Sequence, residues 1–369
     1  MGPARVAAAP LRQASCTLPA TVTTADQLYD CITLANANES PSPTADTITL
    51  GADIDLTTLT SSPLPQITST ITLEGAGYAI DGGWDGVSGS GTGIRIFFVA
   101  SAGDLTVNQA TLQNGSATGG GGAVANALGS LTITHSTLSG NSASYGGAIV
   151  NGGTVRVANS TFSGNSATSS ENSGAISMQD GTLTLTNSTF SGNSGGGIYY
   201  TAGTQLHLAG NIFAVGQSGQ NCVNDDGGTL TDNGYNLSDD TTCTNGGAGS
   251  ATNATLNLGA LADNGGPTQT HLPGPASDAI GAIPNGTTID NNGVTLACDQ
   301  STTDQRGESR PINSGDDCTD GAVEVTICPS WTVTTADELY ECITEANGNG
   351  AGLDTITLGA DIDLTTLTS

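Results

Sequence analysis

The feature that most constrains this chain is one pattern written three times between Leu131 and Asn193: LTITHSTLSGNSASYGGAIVNGG, then VRVANSTFSGNSATSSENSGAISMQDG, then LTLTNSTFSGNS. Leu131, Val155 and Leu183 open the copies, so the steps are 24 and 28 residues. The template extends back to Leu105 and forward to Leu206, which makes five successive units. A period of this length marks a stack of small units, none able to bury an apolar face alone.

Within each unit the first and third positions are Leu or β-branched: Leu105/Val107, Leu131/Ile133, Val155/Val157, Leu183/Leu185 and Leu206/Leu208. Alternation of this kind predicts a strand with one buried face. Seven residues after each opening stands a larger apolar side chain, Leu112, Leu138, Phe162, Phe190 or Phe213, which predicts a second strand. Ala123/Val124, Ala148/Ile149, Ala175/Ile176 and Ile198 follow runs of Gly and predict a third. Three short strands per unit, stacked coil on coil, predict an all-β fold, a parallel β-helix or β-solenoid. The Ser-Gly-Asn-Ser segments fall where a coil must bend, because Gly accepts φ > 0 and Asn tolerates it. Asn159 and Asn187 share one template position, where they could stack as an amide ladder. Turn chemistry accounts for them better than glycosylation does.

Composition excludes some partners. Thirty-four acids against six bases give a net charge of −28, and lysine is absent. Such a surface repels nucleic acid and anionic lipid, so no nucleic-acid partner is expected. No apolar run reaches the length of a membrane span, so no membrane insertion is expected either. The eight cysteines, Cys16, Cys31, Cys222, Cys243, Cys298, Cys318, Cys328 and Cys342, are spaced as though neighbours pair, and none forms a CxxC zinc motif. Disulfides place the chain in an oxidising compartment, secreted, extracellular or on a cell surface.

In chain order, residues 1–15 read as a leader or disordered segment. Residues 16–62 read as a capping helix and first coil. Thr24-Ala-Asp-Gln27 is a capping box, and Leu28, Cys31, Ile32 and Ala35 follow at helical spacing. That helix should cover the open end of the solenoid. Residues 63–219 read as coils, and 220–326 as the last coils with a disulfide-bearing C-terminal cap. In that region Arg306 and Arg310 are expected to be tied to nearby carboxylates.

At TVTTADQLYDCITLANAN the chain resembles the N-terminal segment of bacterial surface proteins that carry a CSLREA motif. Cys31, Leu34 and Asn36 keep that pattern, and the Arg-Glu pair is missing. LGALADNGGPTQTHLPGPASDAIGAI, with Thr303-Asp-Gln-Arg-Gly-Glu-Ser-Arg-Pro311 and Cys318-Thr-Asp-Gly-Ala-Val-Glu324, resembles the choice-of-anchor Q region of secreted and surface proteins. The coils resemble pectate-lyase-like and polymorphic outer-membrane protein repeats. These resemblances imply a right-handed β-helix and say little of chemistry.

The final residues, 327–369, are a partial second copy of the start. TVTTADELYECIT repeats TVTTADQLYDCIT, and DTITLGADIDLTTLTS at 354–369 is identical to 46–61. Two readings stay open: one period of a tandem array, or a tail that docks on another copy. Either makes head-to-tail stacking the theme, with Trp331, Leu339, Cys342, Ile343, Ile356 and Leu358 as assembly residues.

Little in the sequence points to chemistry. Read outward, the first strands offer Thr106/Asn108, Thr132/Thr134, Arg156/Ala158, Thr184/Thr186 and His207/Ala209, with no paired acid and base. The acid pairs Asp225/Asp226, Asp239/Asp240 and Asp316/Asp317 stand in Gly/Asn-rich loops, and His135, His207 and His271 do not converge. Asp53, Asp55, Asp361 and Asp363 are the candidates for a Ca²⁺ ion, and no other cofactor is expected. Outward Thr-x-Thr pairs at 47/49, 70/72, 132/134 and 184/186 suggest an ice-binding face, which Arg156 and His207 interrupt. The expectation is a non-enzymatic, structural, self-associating module of a bacterial surface array or filament, with an adhesive role open. The alternative is a carbohydrate-binding or carbohydrate-cleaving protein, a lyase or glycosidase, and surface glycans are further candidate partners.

Overall fold

The computed structural model describes residues 16–37, 45–87, 93–169, 174–214, 220–325, 332–336, 339, 342–343 and 356–366. Three parallel sheets build the solenoid. The first has nine strands, from Ala20–Val22 to Thr229–Asp232; the second also has nine, from Ile54–Asp55 to Ala251–Thr252; the third has six, from Phe97–Val99 to Cys222–Asp225. A short fourth sheet of three strands, Ser116–Gly120, Ser142–Tyr145 and Ser166–Ala167, lies beside them. The chain passes from sheet to sheet once per coil, which makes this a parallel β-helix.

Register explains the repeat. Ile71, Leu105, Leu131, Val155, Leu183, Leu206 and Leu230 form one inward row of the first sheet. Leu73, Val107, Ile133, Val157, Leu185 and Leu208 form the next. In the second sheet the inward row is Ile54, Ile80, Leu112, Leu138, Phe162, Phe190 and Phe213. The rings of Phe162 and Phe190 stack with centroids 4.6 Å apart, and those of Phe190 and Phe213 lie 5.2 Å apart. Phe97, Val124, Ile149, Ile176, Ile198 and Cys222 complete the core from the third sheet.

Corners inside the solenoid carry polar rows. Asn141, Asn165 and Asn193 are buried; each donates its Nδ2 to a carbonyl of the preceding coil, and the first two also donate to the next Asn Oδ1 at 2.9 Å. At the corner between the first and second sheets, Ser136, Ser160 and Ser188 each accept from a backbone N–H of the coil before, and Asn211 and Asn236 continue the row. These side chains satisfy backbone groups that the bends leave unpaired. The amide ladder is therefore at the Ser-Gly-Asn position and not at Asn159 and Asn187. Those two hold φ near +47°, and the Oδ1 of each is buried without a partner.

The helix Ala25–Ala37 closes the N-terminal end, with Leu28, Cys31, Ile32 and Ala35 buried. Gln27 donates its backbone N–H to Thr24 Oγ1 as a capping box requires, but its side chain reaches back to the N–H of Thr23, one residue earlier than the pattern predicts. The disulfide Cys16–Cys31 pins the segment that precedes the helix.

Beyond the last coil, residues 254–325 turn back along the flank of the solenoid. Gln305 accepts from Thr161 Oγ1 at 2.7 Å and donates to Thr137 Oγ1 at 2.9 Å. Ala322 donates to Thr189 Oγ1, and Asn291 donates to the Leu185 carbonyl. All three threonines face outward and are buried by this strap. The antiparallel hairpin Thr288–Asn291 with Val294–Ala297 covers Thr184 and Thr186 of the first sheet. Two satellite cores form beneath the strap, one around Ala209, Leu296 and the Cys298–Cys318 disulfide, the other around Ile212 and Leu256.

Candidate functional site: the outer faces and the repeated cap

The outward row of the first sheet is Thr47, Thr72, Thr106, Thr132, Arg156, Thr184, His207 and Thr231. Its companion row is Thr49, Glu74, Asn108, Thr134, Ala158, Thr186 and Ala209. Register thus places Thr70 outside the expected Thr-x-Thr array and puts a carboxylate, Glu74, within it. Glu74 accepts from Asn108 Nδ2 at 2.7 Å, and Asn108 Oδ1 accepts from Thr134 at 3.0 Å. With Thr184 and Thr186 roofed over by the hairpin, this face is not the flat, open threonine array that the sequence suggests.

The three histidines occupy separate surroundings. His135 stands at φ +48°, near Asn159 and Thr303; His271 bonds the Gly259 carbonyl at 2.7 Å and Ser163 Oγ at 2.9 Å; His207 Nε2 is buried without a partner. Burial holds all three below the usual imidazole range, which keeps them neutral at pH 7.

Asp53 accepts from the Ala79 N–H, and Asp55 accepts from Thr57 N–H and Oγ1 at 2.9 and 2.6 Å, capping the short 3-10 turn Leu56–Thr58. Asp363 does the same for Thr365 at 2.9 and 2.7 Å. Asp361 is exposed beside it. Among the described residues no three His, Cys, Asp or Glu side chains come together as a metal site would require. Of the acid pairs, Asp240 accepts from Asn221, Ser238 and Thr242, which hold its carboxyl below the usual range in spite of burial.

Arg306 pairs with Asp304 at 2.9 Å and Arg310 with Glu324 at 3.2 Å, the latter pair fully buried in the strap. Arg310 also donates to the carbonyls of Thr319 and Gly321. Asp320, buried beside them, has no hydrogen-bond partner on either oxygen, and burial drives its carboxyl well above the ordinary range. Sequence reasoning picked out the arginines and missed Asp320, whose burial depends on the strap's path.

Cys222 pairs with Cys243, completing three bridges between neighbours. Cys342 is also disulfide-bonded, while Cys328 and Trp331 lie outside the described residues. The described part of the tail rebuilds the start of the chain. Val333 pairs with Leu358 as Val22 pairs with Leu50. Leu339 N–H donates to the Thr335 carbonyl at 3.1 Å as Leu28 does to Thr24, and Gly359 to Val333 at 2.8 Å as Gly51 does to Val22. Val333, Ala336 and Cys342 are buried. Ile343, Leu358 and Leu364 are exposed at 45, 60 and 64 %, whereas their counterparts Ile32, Leu50 and Leu56 are at 1 % or less. Leu339, Leu358, Ile362 and Leu364 line an open concavity of about 700 Å³. Ile356, half-buried, stands one position before the paired strand.

The coils and their ladders define a parallel β-helix repeat protein. A family model described as a right-handed β-helix region matches residues 87–255, which run from just before the third sheet begins to just past the last strand of the second. Comparison with curated proteins and with solved structures finds no match. No helix among the described residues is long and apolar enough to cross a membrane, and the disulfides point to folding in an oxidising compartment.

Proposed function

We propose that this chain is a structural, extracellular module that stacks head to tail with copies of itself in a bacterial surface array or filament. The observation that carries this reading is the repeated cap. Its apolar side chains are the ones that, at the N-terminal end, the second coil covers: Leu50 lies in the strand that pairs with Thr70–Glu74, and Ile54 pairs with Ile80. The fitting complement is therefore a coil with the sequence of residues 62–81, and because that coil already pairs with its own copy's cap, a following copy is seated by exchanging its own cap for the repeated one. A contact of this kind is heterologous and repeats without closing.

Negative-stain imaging and sedimentation of the chain with and without residues 327–369 test the reading. Elongated particles or filaments that disappear on truncation are expected. Identical single particles from both chains would overturn it.

A further inference from the structure

Asp53 and Asp55 in the first cap, and Asp361 and Asp363 in the repeated one, gather no metal-like cluster among the described residues, which leaves their repetition unexplained. The first copy shows what such a pair does. The ladder between the first and second coils begins at Ile54 with Ile80. One residue earlier, the Ala79 N–H donates not to a backbone carbonyl but to Asp53 Oδ1 at 2.8 Å. Asp55 and Asp81 then stand opposite each other across the ladder, where two like charges repel. Donors on each side offset that repulsion: Thr57 N–H and Oγ1 hold Asp55, and Gly83 N–H, Gln113 and Asn114 hold Asp81.

The repeated cap carries the same device. Its residues 354–369 are identical to 46–61, so Asp361 matches Asp53 and Asp363 matches Asp55. Asp363 accepts from Thr365 N–H and Oγ1 at 2.9 and 2.7 Å, so the carboxylate that would face an incoming Asp81 is already held by donors. Asp361 is exposed and lines the same concavity as Leu358, Ile362 and Leu364. Apolar rows alone set the register of an incoming coil poorly, because the side-chain period is two and a slip of two residues keeps the same face inward. A carboxylate that must meet one particular N–H permits a single register.

We propose that Asp361 sets the register of the head-to-tail contact by accepting the Ala79 N–H of a second copy, in competition with that copy's own Asp53. This inference rests on the assembly reading and names the bond that seats the incoming coil. Asn36 strengthens the competing cap, since its side chain donates to the Gln66 carbonyl at 2.6 Å and accepts from the Thr68 N–H at 2.9 Å. Substitutions in the two caps therefore act in opposite directions. Sedimentation of the full chain at about 0.15 M salt measures the concentration at which half of it is assembled. Asp361→Ala should raise that concentration about tenfold, and Asp361→Asn, which keeps an acceptor oxygen, should raise it less than about threefold. Asp53→Ala and Asn36→Ala loosen the chain's own cap, so each should lower it. Asp53→Ala combined with Asp361→Ala should bring it back near the wild-type value. Assembly that Asp361→Ala leaves unchanged, or that Asp53→Ala weakens, would overturn this inference and spare the assembly reading. Equal losses with Asp361→Asn and Asp361→Ala, reproduced by EDTA on the wild type, would also overturn it and give the aspartates to a cation. Wild type, Asp53→Ala and Asn36→Ala all staying single at every concentration would overturn the assembly reading and this inference with it.

Discussion

Single residues hold this molecule together mainly where the backbone turns. Asn165 makes the case: it accepts from the N–H and side chain of Asn141 and donates to Asn193 and the Leu138 carbonyl, all inside the solenoid. Asn165→Ala would strand a backbone N–H and a carbonyl out of reach of water, at about 1 to 3 kcal/mol for each orphaned group, so chemical denaturation should show a loss of roughly 3 kcal/mol or more. Glu324 supplies a pH dependence. Burial outweighs the attraction of Arg310 and raises its carboxyl to about 7. An acid with a raised pKa holds its proton in the folded state after the unfolded chain has lost it, so stability falls as pH rises from about 4.5 to about 7 and then levels off. Asp320, displaced in the same direction, adds to the slope. The melting temperature should therefore drop across that window, and Glu324→Gln should flatten the drop; a wild-type curve that rises with pH would contradict the assignment.

Elements are stabilised by their rows. Phe190 stacks between Phe162 and Phe213, and Phe190→Ala should cost about 3 to 5 kcal/mol in denaturant unfolding, whereas Phe190→Leu should cost well under half of that. Leucine already serves the same row at Leu112 and Leu138. Removing the Cys298–Cys318 bridge, which spans 20 residues, should cost about 3 kcal/mol and speed hydrogen exchange in the strap before the coils. These inward rows were legible in the sequence because alternation and a fixed offset report on burial directly. The strap was not: Thr184 read as solvent-facing, and only the chain's return path buries it, as it buries Thr137, Thr161 and Thr189 of the second sheet. Register also escaped the sequence at one coil, where Thr72 and Glu74, not Thr70 and Thr72, continue the outward rows. The hollow beside Arg95, Phe98 and Tyr145 went unread because its parts come from different coils and from a fourth short sheet that the template does not mark. Periodicity shows which residues face inward, and it is silent on what later covers the outside.

At the scale of the whole molecule, nine strands in the longest sheets at ~4.8 Å spacing give a shaft on the order of 40 Å. Its N-terminal end is closed by a helix over the core, and the same cap is written again at 332–366 with its apolar face open. On the proposed reading, a rod whose sequence contains a second start is organised for continuation, with its coils as the spacer. The most direct measurement joins a second copy of residues 62–325 after Ser369 and determines particle length by small-angle scattering and negative-stain imaging. If the repeated cap seats a following coil, the second body is a continuous solenoid on its own cap, the Leu358 region becomes protected from hydrogen exchange, and particle length roughly doubles. A doubled chain whose residues 332–366 stay exchange-labile and protease-sensitive, with a second body that fails to fold onto them, would contradict head-to-tail stacking.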